Sequence, residues 1–162
     1  MNLDERNEKI EEYGHGFELF STALTGIPHE AWVFKPAPGE WSVHEVIVHM
    51  ADSESIGAFR LRKLVVEPGD TLTAYDEAKW AEVLDYQNQS VDDALQIFKL
   101  MRGTTHRLLK TLSEPVFMHS VVHPAYEEPY TFDEWLNIYT RHIPEHIEHL
   151  NKIYRAWRDQ NK

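Results

Sequence analysis

The chain of 162 residues contains no cysteine. This absence excludes disulfide bonds, thiolate metal sites and a cysteine nucleophile. No apolar run approaches the roughly 20 residues that cross a bilayer, and the start of the chain, residues 1–9, is too charged for a signal peptide. We therefore expect one domain over residues 1–162, in the cytoplasm and without a membrane partner.

Positive charge is scarce as well. There are 16 Lys and Arg against 27 Asp and Glu, which gives a formal net charge of -11. Proteins that bind nucleic acid meet its phosphates with clustered Lys and Arg, so we expect no nucleic-acid partner. The sequence also lacks a Gly-rich phosphate loop and a serine nucleophile elbow. The sequence contains ten histidines, and the positions of some of them indicate a candidate functional site.

Four amphipathic segments predict an all-α fold, a four-helix bundle. They cover residues 3–24, 42–67, 90–112 and 131–160. Capping-box patterns open the second and fourth segments, and Ser90 is a suitable N-cap for the third. Long connections join helices 2 and 3 (69–89) and helices 3 and 4 (113–130), and the run 116–122 predicts a short strand in the latter.

Two features interrupt the apolar pattern. Gly14 and Gly16 lie inside the first segment, where each costs about 1 kcal/mol relative to alanine. They indicate that a neighbouring backbone or a cavity needs space there. Arg102 interrupts the apolar stripe of the third segment; we expect it, like Arg60 and Arg62, to be solvated or ion-paired.

His142 and His146 are four residues apart on the fourth predicted helix and therefore lie on one face, where two imidazoles can hold one divalent ion. The stripe that contains them also includes Trp135, Tyr139, His149 and Ile153, so it faces the bundle core. A third ligand is needed, and His49 on the inner face of the second helix is the candidate. The alternative is that these are hydrogen-bonded core histidines.

The same run spells His-x-x-Glu-His, the pattern of inverzincin proteases. We reject that interpretation because only sixteen residues follow His146, too few for the downstream acidic ligand, and because Pro144 lies inside the motif. Glu145 is a candidate hydrogen-bond partner of the ligands or proton acceptor, with a solvated helix glutamate as the alternative. His119 and His123 repeat the spacing in extended chain, where they would stand about 13 Å apart.

Two segments resemble a known family. Residues 38–54, Pro-Gly-Glu-Trp-Ser-Val-His-Glu-Val-Ile-Val-His-Met-Ala-Asp-Ser-Glu, are similar to the second helix of DinB-like proteins. Residues 139–150, Tyr-Thr-Arg-His-Ile-Pro-Glu-His-Ile-Glu-His-Leu, are similar to their C-terminal histidine helix. The resemblance covers about residues 15–155 and is strongest to the YfiT-like subgroup, which includes candidate metal-dependent hydrolases and bacillithiol S-transferases.

The resemblance implies a four-helix bundle that is frequently a homodimer and has a three-histidine site for nickel or zinc. It assigns the ligands to His49, His142 and His146, and it leaves His149 outside the triad. Relatives often have Gly-Lys-His or Gly-Arg-His between the last two ligands, where this chain has Ile-Pro-Glu at 143–145.

These observations predict a divalent-metal-dependent enzyme. It would be a transferase that conjugates a low-molecular-weight thiol to an electrophile, or a related small-molecule hydrolase. The alternative is a non-catalytic, stress-related protein in which a structural metal joins two helices. A fourth protein ligand, His149 or Glu145, would favour the structural role, whereas an open coordination position would favour catalysis.

Overall fold

The computed structural model describes residues 1–161 and confirms the predicted all-α four-helix bundle. The helices are α1 (Leu3–Gly14), α2 (Gly16–Thr25), α3 (Val43–Val66), α4 (Glu77–Val83), α5 (Val91–Leu109) and α6 (Phe132–Gln160). The first bundle position is occupied by α1 and α2 together, and α3, α5 and α6 fill the other three. α3 packs against α5 and α6, and the α1–α2 pair packs against the same two helices from the opposite side.

Side-chain caps fix where three of the long helices begin. Ser42 and Glu45 form a complete capping box at the start of α3. Ser90 accepts a hydrogen bond from an amide in the first turn of α5, and Thr131 does so for α6. The predicted starts of helices two, three and four are therefore confirmed. Since α3 and α6 begin at fixed residues, the positions of their histidines along each helix follow.

The first predicted helix is not continuous. It breaks at His15, which ends α1 and precedes α2. A Cβ atom on Gly14 would lie 2.6 Å from His106 Cε1, and a Cβ atom on Gly16 would lie 2.5 Å from Arg102 Nε. The space that the two glycines leave is thus filled by side chains from α5, and a cavity of about 210 Å³ that Gly14 and Arg102 help to line lies beside them.

The connections contain short elements that periodicity does not predict. α4 and a 3-10 turn at Tyr86–Asn88 lie in the connection between α3 and α5. In the next connection a 3-10 helix covers Glu114–Met118, so the predicted strand at 116–122 is reduced to β1 (Ser120–Val121), antiparallel to β2 (Tyr130–Thr131). Across residues 1–161, no helix has both the length and the apolar character required to cross a membrane.

Candidate metal centre

The structure brings the three predicted ligands together between α3 and α6. His49 is fully buried on α3, whereas His142 and His146 on α6 are partly exposed. His142 Nε2 lies 3.3 Å from His49 Nε2 and 2.9 Å from His146 Nε2. One ligand nitrogen from each ring lies within 4.8 Å of the other two. Three imidazoles from two helices therefore converge on one point.

These separations fit a shared cation. Two imidazole nitrogens bound at about 2.0–2.1 Å are about 3.3 Å apart in tetrahedral coordination and about 2.9 Å apart at right angles. The observed distances of 3.3 Å and 2.9 Å match these values. The same distances also allow hydrogen bonds in which His142 Nε2 accepts from both neighbours. Geometry thus fits both interpretations that the sequence left open.

The electrostatic environment keeps all three rings neutral. Burial lowers the pKa of His49 to about 4, with a smaller effect from His149. Burial and then the charge of His49 lower the pKa of His142 to about 3. Burial, followed by His142 and His49, lowers the pKa of His146 to about 2. At neutral pH each ring therefore has a free nitrogen lone pair, which is the form that binds a metal.

Packing holds the rings in place. The Trp41 ring lies against His49, with centroids 4.9 Å apart, and the Tyr139 ring centroid is 6.4 Å from that of His142. The Nδ1 atoms of His49 and His146 are buried and have no hydrogen-bond partner among residues 1–161. Metal-bound histidines usually donate this second N–H to an acceptor. Here these two rings contact other rings instead: His49 packs against Trp41, and His146 lies beside His49, His142 and His149.

Two other groups near the ligands do not join them. Glu145 is exposed and its Oε1 lies 2.9 Å from Arg141 Nε, an ion pair along the surface of α6. This ion pair matches the alternative of a solvated helix glutamate, and a role of Glu145 as hydrogen-bond partner or proton acceptor stays a prediction. His149 is half-buried beside Trp41, with its ring centroid 6.0 Å from that of His146, and is not among the converging ligands.

His119 and His123, which repeat the four-residue spacing, lie outside the cluster. His119 Nδ1 is 3.0 Å from the carbonyl oxygen of Leu64. His123 Nδ1 accepts from the amide of Ala125, and its ring stacks on Tyr126. Neither histidine belongs to the group of possible metal ligands.

A buried ionic network lies next to the site and was missed by sequence reasoning. Arg102, 1% exposed, pairs with Glu54 at 2.7 Å and donates to the carbonyl oxygens of Tyr13 (2.6 Å) and Tyr139 (3.0 Å). The Tyr13 hydroxyl donates a short hydrogen bond to Glu54, and burial raises the pKa of that hydroxyl. Arg102 is ion-paired as expected, but it is not solvated. Two features of the sequence indicated this network: an arginine within the apolar stripe of the third predicted helix, and the space left by Gly16 in the first.

Comparisons with known proteins support this description. The sequence profile of the DinB superfamily matches residues 15–157. YfiT of Bacillus subtilis, named as a candidate metal-dependent hydrolase, is 29% identical over 72% of this chain and 66% of its own length. OB0782 of Oceanobacillus iheyensis, named in the same way, is 26% identical over 91% of this chain and 84% of its own length.

A solved structure agrees with the fold. It is of Bacillus subtilis YfiT, described as a candidate metal-dependent hydrolase with an unusual four-helix bundle topology. The two folds superpose with a TM-score of 0.87 at 23% identity, over 97% of this chain and 90% of the other.

Proposed function

The chain belongs to the DinB superfamily, and we propose that it is a divalent-metal-dependent enzyme whose ligands are His49, His142 and His146. The observation that carries the proposal is the convergence of three neutral imidazole nitrogens, which no fourth protein ligand from residues 1–161 joins. Structural zinc sites usually have four protein ligands, whereas catalytic sites have three and leave a position for substrate. The absence of Glu145 and His149 from the group therefore favours catalysis over a structural metal.

When bound, a nickel or zinc ion lowers the pKa of a coordinated thiol or water so that the nucleophile is ionised near neutral pH. The chain contributes three uncharged nitrogen ligands. The Trp41 ring covers one side of His49, which is fully buried. Since the chain has no cysteine, any sulfur nucleophile must come from a low-molecular-weight thiol cosubstrate.

Between the two reactions, the donor set favours thiol transfer. Hydrolysis of an amide also needs a proton donor for the departing nitrogen, and among residues 1–161 no carboxylic acid is grouped with the three nitrogens. An ionised thiol that displaces a stable anion needs no such proton donor. Its sulfur forms a bond to the electrophilic carbon while the leaving group departs with its bonding electron pair. Hydrolysis of small esters or amides is the second candidate, supported by the names of the relatives.

Metal content tests the ligand assignment. Protein made without an affinity histidine tag or chelator, and then supplied with zinc or nickel, is expected to hold about one ion per chain. His49→Ala and His146→Ala should each hold at least about tenfold less, because two imidazoles bind a divalent ion weakly. The exposed His29, which stacks on Trp32 away from the cluster, provides the matched control His29→Ala. A wild-type protein that takes up no metal would contradict the proposal.

Activity tests the reaction class. Metal-loaded protein is offered bacillithiol, glutathione or cysteine with the electrophile monochlorobimane, and separately p-nitrophenyl acetate without a thiol. Metal-dependent conjugation that His49→Ala loses would support thiol transfer, and ester cleavage alone would support hydrolysis. Stoichiometric metal with no turnover across broad panels of thiols, electrophiles and esters would favour the structural role.

A further inference from the structure

A cavity of about 780 Å³ lies between α3 and the segment that leads into and through α4. Its volume is within the range of small-molecule sites, about 300–1,000 Å³. Its wall is mostly apolar and includes Ile56, Phe59, Arg60, Tyr75, Trp80 and Leu84. Phe59 and Leu84 are exposed there although both are large apolar side chains. An apolar group of a ligand would cover them.

The wall contains two cations, Arg60 and Lys79, of which Arg60 is the less exposed. Arg60 is half-buried, and no Asp or Glu oxygen within residues 1–161 comes within 4 Å of its guanidinium. Its Nε is buried and has no hydrogen-bond partner among the same residues, and its Nη2 reaches the Thr73 carbonyl oxygen only at 3.5 Å. The nearby Asp76 is occupied as the N-cap of α4. Glu77 is close enough for its charge to act on Arg60 but forms no ion pair with it, so the guanidinium still has N–H donors that match a carboxylate.

Arg60 also connects the cavity to the histidine cluster. Burial raises the pKa of the Tyr139 hydroxyl, and the adjacent Arg60 guanidinium opposes that rise. Tyr139 precedes His142 by less than one helical turn. Tyr75 stands over Arg60, with the guanidinium carbon 5.8 Å from its ring centroid, and neighbours Ser53, which is one turn from His49. The cavity wall thus adjoins the turns that carry two of the proposed ligands.

We infer that this cavity binds the substrate of the proposed enzyme and that the substrate is a small carboxylic acid with an aryl or alkyl body. The Arg60 guanidinium binds the carboxylate, and Phe59 and Trp80 contact the aryl or alkyl part of the substrate. A monoanion fits better than a phosphate because Asp76 lies on the same wall and the charge of Glu77 acts on Arg60, so a second negative charge on the ligand would be repelled. The inference rests on the proposed function for the reaction, but the binding itself requires only the cavity.

The test compares naphthaleneacetate with its neutral amide, naphthaleneacetamide, by isothermal titration calorimetry. Wild-type protein is expected to bind the acid at least about tenfold more tightly, since a charge-assisted bidentate pair is lost with the amide. Arg60→Gln should bind both compounds with the affinity that the wild type has for the amide. Arg62→Gln, an exposed arginine two residues along α3, is the matched control and should retain the preference. In wild-type protein a shift of the Trp80 indole N–H resonance should accompany binding of the acid.

Equal affinities for acid and amide, an acid preference that survives Arg60→Gln, or no binding of either compound would overturn the inference. Self-association that buries Trp80, seen by sedimentation together with no acid binding, would assign this face to a second copy of the chain. Each titration is run on metal-free and metal-loaded protein. An acid preference in a protein that takes up no metal would refute the proposed function and support the cavity assignment. Metal uptake without an acid preference would refute the cavity assignment and leave the proposed function standing.

Discussion

Replacing Arg102 by methionine is expected to destabilise the protein strongly, because it removes the centre of a buried polar network. In the folded chain the guanidinium pairs with Glu54, donates to the carbonyl oxygens of Tyr13 and Tyr139, and lies 4.0 Å from the Tyr13 ring centroid. Arg102 and Glu54 are each 1% exposed. Methionine can fill much of the volume, but it cannot donate a hydrogen bond.

The expected magnitude follows from these contacts. Leaving one member of a buried ion pair without its partner costs about 3–5 kcal/mol. Each backbone carbonyl that loses its donor adds about 1 kcal/mol, partly offset by contacts of the methionine side chain with the rings of Tyr13 and Phe98. We therefore expect Arg102→Met to lower the free energy of unfolding by about 4 kcal/mol, a large part of the roughly 5–15 kcal/mol of a typical domain.

Urea denaturation followed by far-UV circular dichroism measures this loss. With a slope of about 2 kcal/mol/M, the transition midpoint should fall by about 2 M. Glu54→Gln and the double variant complete a thermodynamic cycle, in which the pair should show a coupling of about 1–3 kcal/mol. The double variant should be more stable than the sum of the single losses predicts, because it leaves no unpaired buried charge.

The reasoning would be refuted if Arg102→Met cost less than about 1 kcal/mol, the value typical of a solvated ion pair. An additive cycle would also refute it, since independent losses would mean that Arg102 and Glu54 do not depend on each other. If Arg102→Met cost less than about 1 kcal/mol, the contacts of Arg102 would be too weak to explain why glycine is needed at position 16.

Three further substitutions test the surroundings of the site. Gly57→Ala would bring a Cβ atom to 2.5 Å from Tyr139 Cζ between α3 and α6, so urea denaturation should show a loss of about 1–3 kcal/mol; Gly26→Ala, whose nearest contact is 3.5 Å, should cost much less. His149→Ala should retain about one metal ion per chain by elemental analysis, because three protein ligands suffice for an open site; loss of the metal would make His149 a ligand. Glu145→Gln should change neither metal content nor turnover, and a drop in turnover would return Glu145 to the site.

The features that the sequence predicted correctly depend on local geometry. Capping at Ser42, Ser90 and Thr131 involves residues within one turn, so a pattern of three or four letters is enough to place a helix start. The pairing of His142 with His146 is equally local, because helical spacing alone puts them on one face. His49 lies 93 residues from His142, and spacing alone left it a candidate until the family resemblance assigned it.

The features that the sequence missed depend on contacts distant in the chain. The break at His15 exists because Arg102 and His106, some 90 residues later, fill the space beside the two glycines. Nothing within the first helix reveals which side chain will arrive there. For Glu145 the sequence offered two roles of a helix glutamate, and the structure shows its carboxylate paired with Arg141.

The ionic network and the histidine cluster meet at one residue, Tyr139. The Tyr139 carbonyl accepts from Arg102 on α5, and its ring occupies the notch that Gly57 leaves in α3. Two neighbours therefore fix the rotation of α6 about its axis at a point less than one turn before His142. Since α3 carries both Gly57 and His49, the same contact sets the distance between the helices at the cluster. A metal site needs its ligands held to within about 0.5 Å. The buried ion pair of Arg102 and Glu54 breaks when either residue moves, and it therefore provides that restraint.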